Sequence, residues 1–547
     1  MGASQTGTVG QYLAARLYQA GLKHIFGVPG DYVLSFFDCL EESGMRVICT
    51  CNELNAGYAA DAYARENGAG GVCVTYGVGG FSLFNAVVGS HAERLPVIVV
   101  SGGPKLSERS DHHLLHHTIG DMNLQYRIYQ EITIASVILT NPQQAPRQID
   151  ETITACLRYK RPVYIEIPTD LVNKPCRKAG PFEIDTTIYS DRPALGEAVE
   201  EAADILRKAE DPVILAGVEA HRLGARRELQ ELVDKSGYPF VVTLLGKSVI
   251  PEQHPQFAGI YGGAASRKSA WDLAHGADVI LSLGALMTDI QIGKDRTLLE
   301  LSRMISANSD NVRIKHHVYN HVSLKDFIIA LKDALPAGTA DPAKFRHPSE
   351  DMKTEFIPEA GKKITARRFY QRINRFIDKN TTIIADTGDA LFSAANLFLP
   401  EGCMFIDQAF YLSIGYSVPA ALGAKLASPG RRPVVFVGDG AFQMTAQELS
   451  TIIRHRLNPV FFLLNNQGYT VERVIHDGPY NDIFTWKYHK FPELFDSGWG
   501  FEVRTEDDLE KALEKAEKNN GETAFIEVHL DKWDCSENLK KLARDIK

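Results

Sequence analysis

Residues 433–472 read PVVFVGDGAFQMTAQELSTIIRHRLNPVFFLLNNQGYTVE, and this stretch decides the fold. Val434–Val437 is a short β-branched and aromatic run closed by Gly438, the pattern of a buried strand. Thr445 and Glu448 have capping-box spacing ahead of apolar Leu449, Ile452 and Ile453, which predicts that a helix starts there. Asn458-Pro459 ends that helix, and Val460–Leu464 is a second buried strand. Such β-α-β crossovers join parallel strands with a right-handed connection. Asp439 and Asn466 are then placed at the carboxyl ends of neighbouring parallel strands, where open α/β sheets bind their ligands.

The residue types at those ends suggest a cation holding a diphosphate. Asp439 offers a carboxylate, Asn466 an amide oxygen, and the chain near Gly468 a backbone carbonyl. Mg²⁺ favours six hard oxygen ligands and usually completes the set from phosphates and water. Gly438 and Gly440 carry no Cβ, so backbone N–H groups can approach phosphate oxygens. The GDG triplet by itself also fits a plain strand-to-helix turn. The Asn465-Asn466 pair downstream turns the reading toward a ligand site.

At 547 residues the chain is too long for one core, and three domains are expected. Hydrophobic content of 44% and charged content of 23% are ordinary for a soluble globular protein. A formal charge of −9 argues against a nucleic-acid-binding surface. No apolar run approaches the length of a membrane span, and no charged-then-apolar signal segment opens the chain. The eight cysteines are scattered, Cys49 and Cys51 alternate along a strand-like run, and reduced thiols in a cytoplasmic enzyme fit best. The opening MGASQT matches the short myristoylation pattern, but a plain start is the preferred reading.

Residues 1–182 alternate strands and helices. HIFGVPGD is a strand ending in a Pro29-Gly30-Asp31 loop, and RVICTCNELNAGYAADAYAREN is a strand followed by an Ala-rich helix from about Asn52. GGVCVTYGVGG and PVIVVSGG add strands to a doubly wound parallel sheet. The Gly77-Val78-Gly79-Gly80 turn lacks the third glycine of a dinucleotide fingerprint, and no acidic residue ends the next strand, which argues against NAD. Residues 190–340 hold a second alternating set with no clustered catalytic groups, read as a structural middle domain. Residues 341–362 are Pro-rich, charged and aperiodic, the composition of a linker. Residues 363–547 form the last domain, with TTIIADTGDALF placing Thr387, Gly388 and Asp389 at another strand end and SENLKKLARDIK closing as a short amphipathic helix.

Three further features carry chemistry. Glu53 stands at a strand end and helix start, where a first-turn carboxylate favoured by the helix dipole is the ordinary explanation. DHHLLHHTIGD carries His112, His113, His116 and His117 at spacings that suit Zn²⁺ on a helix. No Cys or well-placed carboxylate completes a tetrahedral set, so exposed loop histidines are preferred over zinc, with catalytic proton carriers a third option. Glu472, six residues past Asn466, stays close to the cation site by chain length alone.

Taken together, these motifs resemble the thiamine-diphosphate-dependent 2-oxo-acid decarboxylases, the pyruvate decarboxylase group with its indolepyruvate and branched-chain relatives. The likeness covers nearly the whole chain and rests on FGVPGDY, NELNAGYAADAYAR, LLHHTIGD, SIGYSVPAALGAKLA, GDGAFQMTAQEL and NNQGYTVERVIHDGPYNDI. It implies three doubly wound α/β domains: pyrimidine-binding, middle and diphosphate-binding. It further implies that Asp439, Asn466 and the Gly468 carbonyl hold Mg²⁺, and that Glu53 bonds the pyrimidine ring nitrogen. Asp31, His116, His117 and Glu472 look like the catalytic proton network. Ile414 looks like the apolar wedge that bends the cofactor. Thr387, Gly388, Asp389, Leu412, Gly438, Gly440 and Ala441 look like its other neighbours. The implied reaction is non-oxidative: an ylid adds to the keto carbon, CO2 leaves, and the enamine is protonated to release an aldehyde. Glu53 and the diphosphate site come from different subunits in this family, which implies a homodimer, commonly paired into a tetramer.

The sequence also departs from the family. Tyr411-Leu412 stands where many relatives have Trp-Gly, which puts the local backbone contact to the aminopyrimidine in question. Leu391 aligns with a Trp of strict pyruvate enzymes and Val471 with an Ile. With Phe392 and Ile475 they are read as the substrate pocket, and the expectation is broad specificity, covering pyruvate and longer or branched acids. The alternatives are a strict pyruvate decarboxylase and a carboligase of the acetolactate synthase type. A fold-retaining binding protein without turnover is disfavoured by intact Glu53, Asp439 and Asn466.

Overall fold

The computed structural model describes residues 6–109, 114–181, 183–292, 300–339, 341 and 344–546. The MGASQ start with its myristoylation match, and His112 and His113, lie outside the described residues. Three open α/β sheets organise the chain. The first is six-stranded and wholly parallel, ordered Arg46–Cys49, His24–Gly27, Gly70–Val74, Val97–Gly103, Val163–Pro168, Ala135–Ile138. Its three strands Gly70–Val74, Val97–Gly103 and Val163–Pro168 are buried along their whole length. Strands buried end to end in this way suit a parallel sheet covered on both faces.

The middle sheet has seven strands, parallel from Phe257–Tyr261 to Met304–Ala307 and finished by the antiparallel strands Asn311–Ile314 and His317–Asn320. Turns at the carboxyl ends of two of its strands are tied to each other: Gly217 N–H donates to Leu283 O at 2.9 Å and Glu219 N–H to Gly284 O at 3.0 Å. The third sheet is again six-stranded and parallel, ordered Met404–Ile406, Thr381–Ala385, Arg432–Gly438, Val460–Asn465, Ala524–His529, Trp499–Val503. No helix among the described residues is long and apolar enough to cross a membrane.

The chain divides into two compact bodies. One comprises residues 1–187, 418–429 and 445–455, and the other residues 188–417, 430–444 and 456–547. The first contains the first sheet, and the second contains the middle and last sheets.

One local expectation fails. The helix after strand Arg432–Gly438 starts at Asp439 and runs to Thr445, followed by a 3-10 turn Ala446–Glu448 and a short helix Leu449–Arg454. Thr445 makes no side-chain cap bond. The buried Glu448 carboxylate instead accepts the Cys51 N–H at 3.1 Å and the Asn55 amide at 2.7 Å. A long-range partner has displaced the local capping box, because a buried carboxylate needs donors wherever they are found.

Candidate active site

In the last sheet, three neighbouring parallel strands end on polar residues. Thr387 follows Thr381–Ala385, Asp439 follows Arg432–Gly438, and Asn466 follows Val460–Asn465. Asp439 is fully buried, and each of its oxygens takes one backbone N–H, Gly440 at 2.8 Å and Gly468 at 3.1 Å. Burial pushes its pKa up to about 7, the mark of a carboxylate short of positive charge. The Asn466 Oδ1 and the Thr387 Oγ1 are both buried and bonded to nothing among the described residues. Buried polar atoms are nearly always paired. Two orphaned oxygens beside an under-compensated carboxylate fit a hard cation and a phosphate group.

The loop that carries this site is held from below. Arg473, 2% exposed, donates to Asn466 O at 2.9 Å and to Gln467 O, and pairs with Asp482 at 2.6 Å. Gln467 adopts a left-handed φ of 61°. Gly468 has φ +139°, and a Cβ there would lie 2.0 Å from Asn481 O, so only glycine fits. The sequence reading missed Arg473, whose position one residue after Glu472 looks like a solvated charge pair. Gly438 faces open space, Gly440 sits against the Tyr469 ring, and Ala441 is buried in the helix that Asp439 begins.

Asp389 opens the helix Asp389–Ala394 after the left-handed Gly388, and turns to the C-terminal segment. Its carboxylate accepts the Ser536 N–H at 3.0 Å and the Ser536 hydroxyl, with Ser393 Oγ at 3.3 Å. Burial raises its pKa to about 6. Asn538 Nδ2 donates to Phe392 O at 3.1 Å, so the final helix Glu537–Ile546 is tied twice to the helix bearing Leu391 and Phe392. Leu391 is fully buried, in one hydrophobic cluster with Leu412 and Val471. Phe392 is buried, and Val471 and Ile475 are half-buried. Val471 Cγ2 would lie 3.8 Å from a Cβ on Gly388. Leu412 holds φ 56°, a conformation that costs a non-glycine residue about 1–3 kcal/mol. Ile414 is half-buried on the same loop, and Glu472 is exposed on the helix Thr470–Ile475.

The first body carries the remaining candidates. Asn52 caps the helix Glu53–Asn67 by accepting the Asn55 N–H, which fixes Glu53 in the first turn. The Glu53 carboxylate bonds to no described residue. Its Oε1 lies 3.5 Å from where a Cβ on Gly79 would stand. Asp31, in the turn after strand His24–Gly27, meets the histidine loop. His116 Nε2 lies 2.6 Å from Asp31 Oδ2, and His117 Nε2 lies 4.0 Å from Asp31 Oδ1. Tyr32 stacks on His116 with ring centroids 4.8 Å apart. His117 is left-handed at φ 64°, and its carbonyl would lie 2.0 Å from a Cβ on Gly77, itself at φ +67°. Asp31 is therefore the carboxylate that sequence spacing could not supply. Beneath the loop, Gln125 Oε1 accepts the Gly77 N–H at 2.7 Å and its Nε2 donates to Tyr164 at 2.8 Å, while Arg109 pairs with Glu166.

Three family models match the chain. They describe the thiamine pyrophosphate enzyme N-terminal TPP binding domain over residues 7–125, the central domain over 199–335 and the C-terminal TPP binding domain over 386–528. A probable pyruvate decarboxylase of Schizosaccharomyces pombe is 37% identical, covering 98% of this chain and 95% of its own. Pyruvate decarboxylase 4 of Arabidopsis thaliana is 37% identical over 97% of this chain and 90% of its own. Pyruvate decarboxylase 1 of Pisum sativum is 37% identical over 97% and 92%.

Proposed function

The chain belongs to the thiamine-diphosphate-dependent 2-oxo-acid decarboxylases, and from that premise we propose that it turns pyruvate and longer or branched 2-oxo acids into aldehydes and CO2. Bound thiamine diphosphate supplies the electron sink that lets a 2-oxo acid lose CO2. Asp439, Asn466 and the Gly468 carbonyl would hold Mg²⁺, and the unpaired Thr387 Oγ1 would serve the diphosphate. The orphaned Asn466 Oδ1 is the observation that supports this most directly. Glu53, with no competing partner, bonds the pyrimidine ring nitrogen. Half-buried Ile414 would support the cofactor from its loop.

Asp31, His116, His117 and Glu472 hold and deliver the proton that takes the place of CO2 on the product carbon. Carboxyl and imidazole side chains are the usual carriers of protons in such steps. Family resemblance supports a homodimer, paired into a tetramer, in which Glu53 of one subunit serves the diphosphate site of the next. All eight cysteines are free thiols, which supports a reducing compartment such as the cytoplasm.

For substrate size, Leu391 and Val471 in place of larger side chains support the broad reading. Complete burial of Leu391 against Leu412 and Val471 favours a second reading, a strict pyruvate enzyme in which apolar neighbours have filled the space. A panel of 2-oxo acids assayed for CO2 and aldehyde separates them. Comparable kcat/KM on pyruvate and 4-methyl-2-oxopentanoate is the expected result, and turnover of pyruvate alone would sink the broad reading.

A further inference from the structure

The cluster of Asp31, His116 and His117 has a second capability. We propose that it is an inhibitory transition-metal site, selective for Zn²⁺ over the Mg²⁺ used elsewhere in the chain. One ligand atom from each of the three lies within 4.8 Å of the other two. Zn²⁺ bound at about 2.0–2.2 Å in a tetrahedron needs its ligand atoms roughly 3.4 Å apart. The observed separations are 2.6 Å from Asp31 Oδ2 to His116 Nε2 and 4.0 Å from Asp31 Oδ1 to His117 Nε2, so side-chain rotation must present the carboxylate to both rings at once.

The ligands are held for the purpose by features outside the cluster. His117 is fixed by its left-handed backbone over Gly77. His116 is fixed in plane by the Tyr32 ring, 11° from parallel, and its Nδ1 lies 3.5 Å from the Tyr32 hydroxyl. A metal at Nε2 would displace the proton that this nitrogen shares with Asp31, and the second nitrogen would keep the Tyr32 hydroxyl as its neighbour. The side chains of Asp31 and His116 are more than half exposed, so an ion reaches them from solvent. Three protein ligands leave the fourth position to water.

Ligand chemistry sorts the ions. Asp439, Asn466 and the Gly468 carbonyl present oxygen only, which suits Mg²⁺. Two imidazoles and one carboxylate suit Zn²⁺, Co²⁺ or Ni²⁺ and hold Mg²⁺ poorly. An ion between Asp31 and the histidines occupies the lone pairs that would carry a proton, so turnover stops while cofactor stays bound. The inhibition rests on the proton-delivery reading of these residues; the binding does not.

The test uses the holoenzyme in excess thiamine diphosphate and Mg²⁺, titrated with Co²⁺ and followed by visible absorption. One Co²⁺ per chain with tetrahedral-type bands is expected, displaced stoichiometrically by Zn²⁺. Asp31→Asn and His117→Asn should each weaken Co²⁺ binding at least tenfold, with circular dichroism checking that they fold; Asn tolerates the left-handed backbone at residue 117. Tyr32→Phe, which removes only the second-nitrogen partner, should weaken binding by less than those two. Zn²⁺ should inhibit decarboxylation in step with site occupancy. Absence of a one-per-chain site, or equal Co²⁺ binding in both Asn variants, overturns the proposal. Full occupancy with unchanged turnover leaves the metal site standing, and overturns both the inhibition and the proton-delivery role from which it was drawn.

Discussion

The first and last sheets are built on one plan and set their polar strand-end residues in opposite surroundings. In chain order, both run second, first, third, fourth, sixth, fifth, with every strand parallel. In the last sheet the strand ends carry Thr387, Asp439 and Asn466, with Asp439 and Asn466 buried and locked by backbone and by Arg473. In the first sheet they carry Asp31, Glu53 and the Gly77 turn, with Asp31 and His116 open to solvent. A cation site needs fixed oxygens out of water, whereas proton-carrying groups need access and exchange. The common scaffold sets only where these groups stand; the loop residues and their burial set what they can do.

The sharpest way to break the contrast is at the cation end. Asp439→Ala should leave activity below detection and retain no thiamine diphosphate after gel filtration, whereas Asp31→Asn should retain it. Chelation at mildly alkaline pH should strip the wild type in parallel, with activity returning only when Mg²⁺ and cofactor are both restored. Retention of cofactor by Asp439→Ala would erase the difference between the two sheets.

At the proton end the effects should be graded. Glu472→Gln should lower turnover by about 10²–10⁴-fold, the ordinary worth of a general acid or base. It should leave exchange of the cofactor's thiazolium proton nearly intact, while Glu53→Gln slows that exchange severely. Equal exchange rates in the two variants would defeat the division of roles. Leu391→Trp comes next. It should cut kcat/KM for 4-methyl-2-oxopentanoate relative to pyruvate by roughly 10–200-fold, the span that pocket volume usually commands. An unchanged ratio would move the substrate pocket elsewhere.

Two smaller effects test how rigid the last sheet's end is. Arg473→Ala should weaken Mg²⁺ by about 10–100-fold, as loss of an outer support to metal ligands typically does. Equilibrium dialysis of Mg²⁺ against cofactor-loaded enzyme measures it, and wild-type affinity would show the loop to be self-supporting. Ser536→Ala removes the hydroxyl that bonds Asp389 and accepts the Leu539 N–H at 3.1 Å. Loss of a helix cap costs about 0.5–2 kcal/mol. Amide exchange across Glu537–Ile546 should accelerate, and unchanged exchange would show that the helix is held by its apolar face alone.

How far the sequence carried differs residue by residue. The strand pair around Asp439 and Asn466 was legible because both runs are continuously apolar and each ends on a distinctive polar residue. The place of Glu53 in a first helical turn was legible because the change from strand to helix pattern near Asn52 is local. Glu448 was misread, since its spacing to Thr445 mimics a capping box while its real partners, Cys51 and Asn55, lie far away in sequence. Asp31 and His116 stand 85 residues apart, so the histidine run looked incomplete until the chain was folded. Asp389 was legible as a strand-end acid, but nothing local announced that Ser536 would hold it. Local patterns fix elements; partners drawn from distant segments do not leave a periodic trace.

That same Glu448 contact bears on how the protein is made. Residues 418–429 and 445–455 belong to the body that otherwise ends near residue 187. Chains emerge from the ribosome N-terminus first, and early segments tend to fold as units. Here the first unit stays short of two segments until translation is more than four-fifths done, with the Cys51 N–H and Asn55 amide still waiting for Glu448. A chain halted near residue 440 would present that unfinished surface to chaperones and proteases, and the turn bearing Glu53 would be among the last parts of the molecule to set.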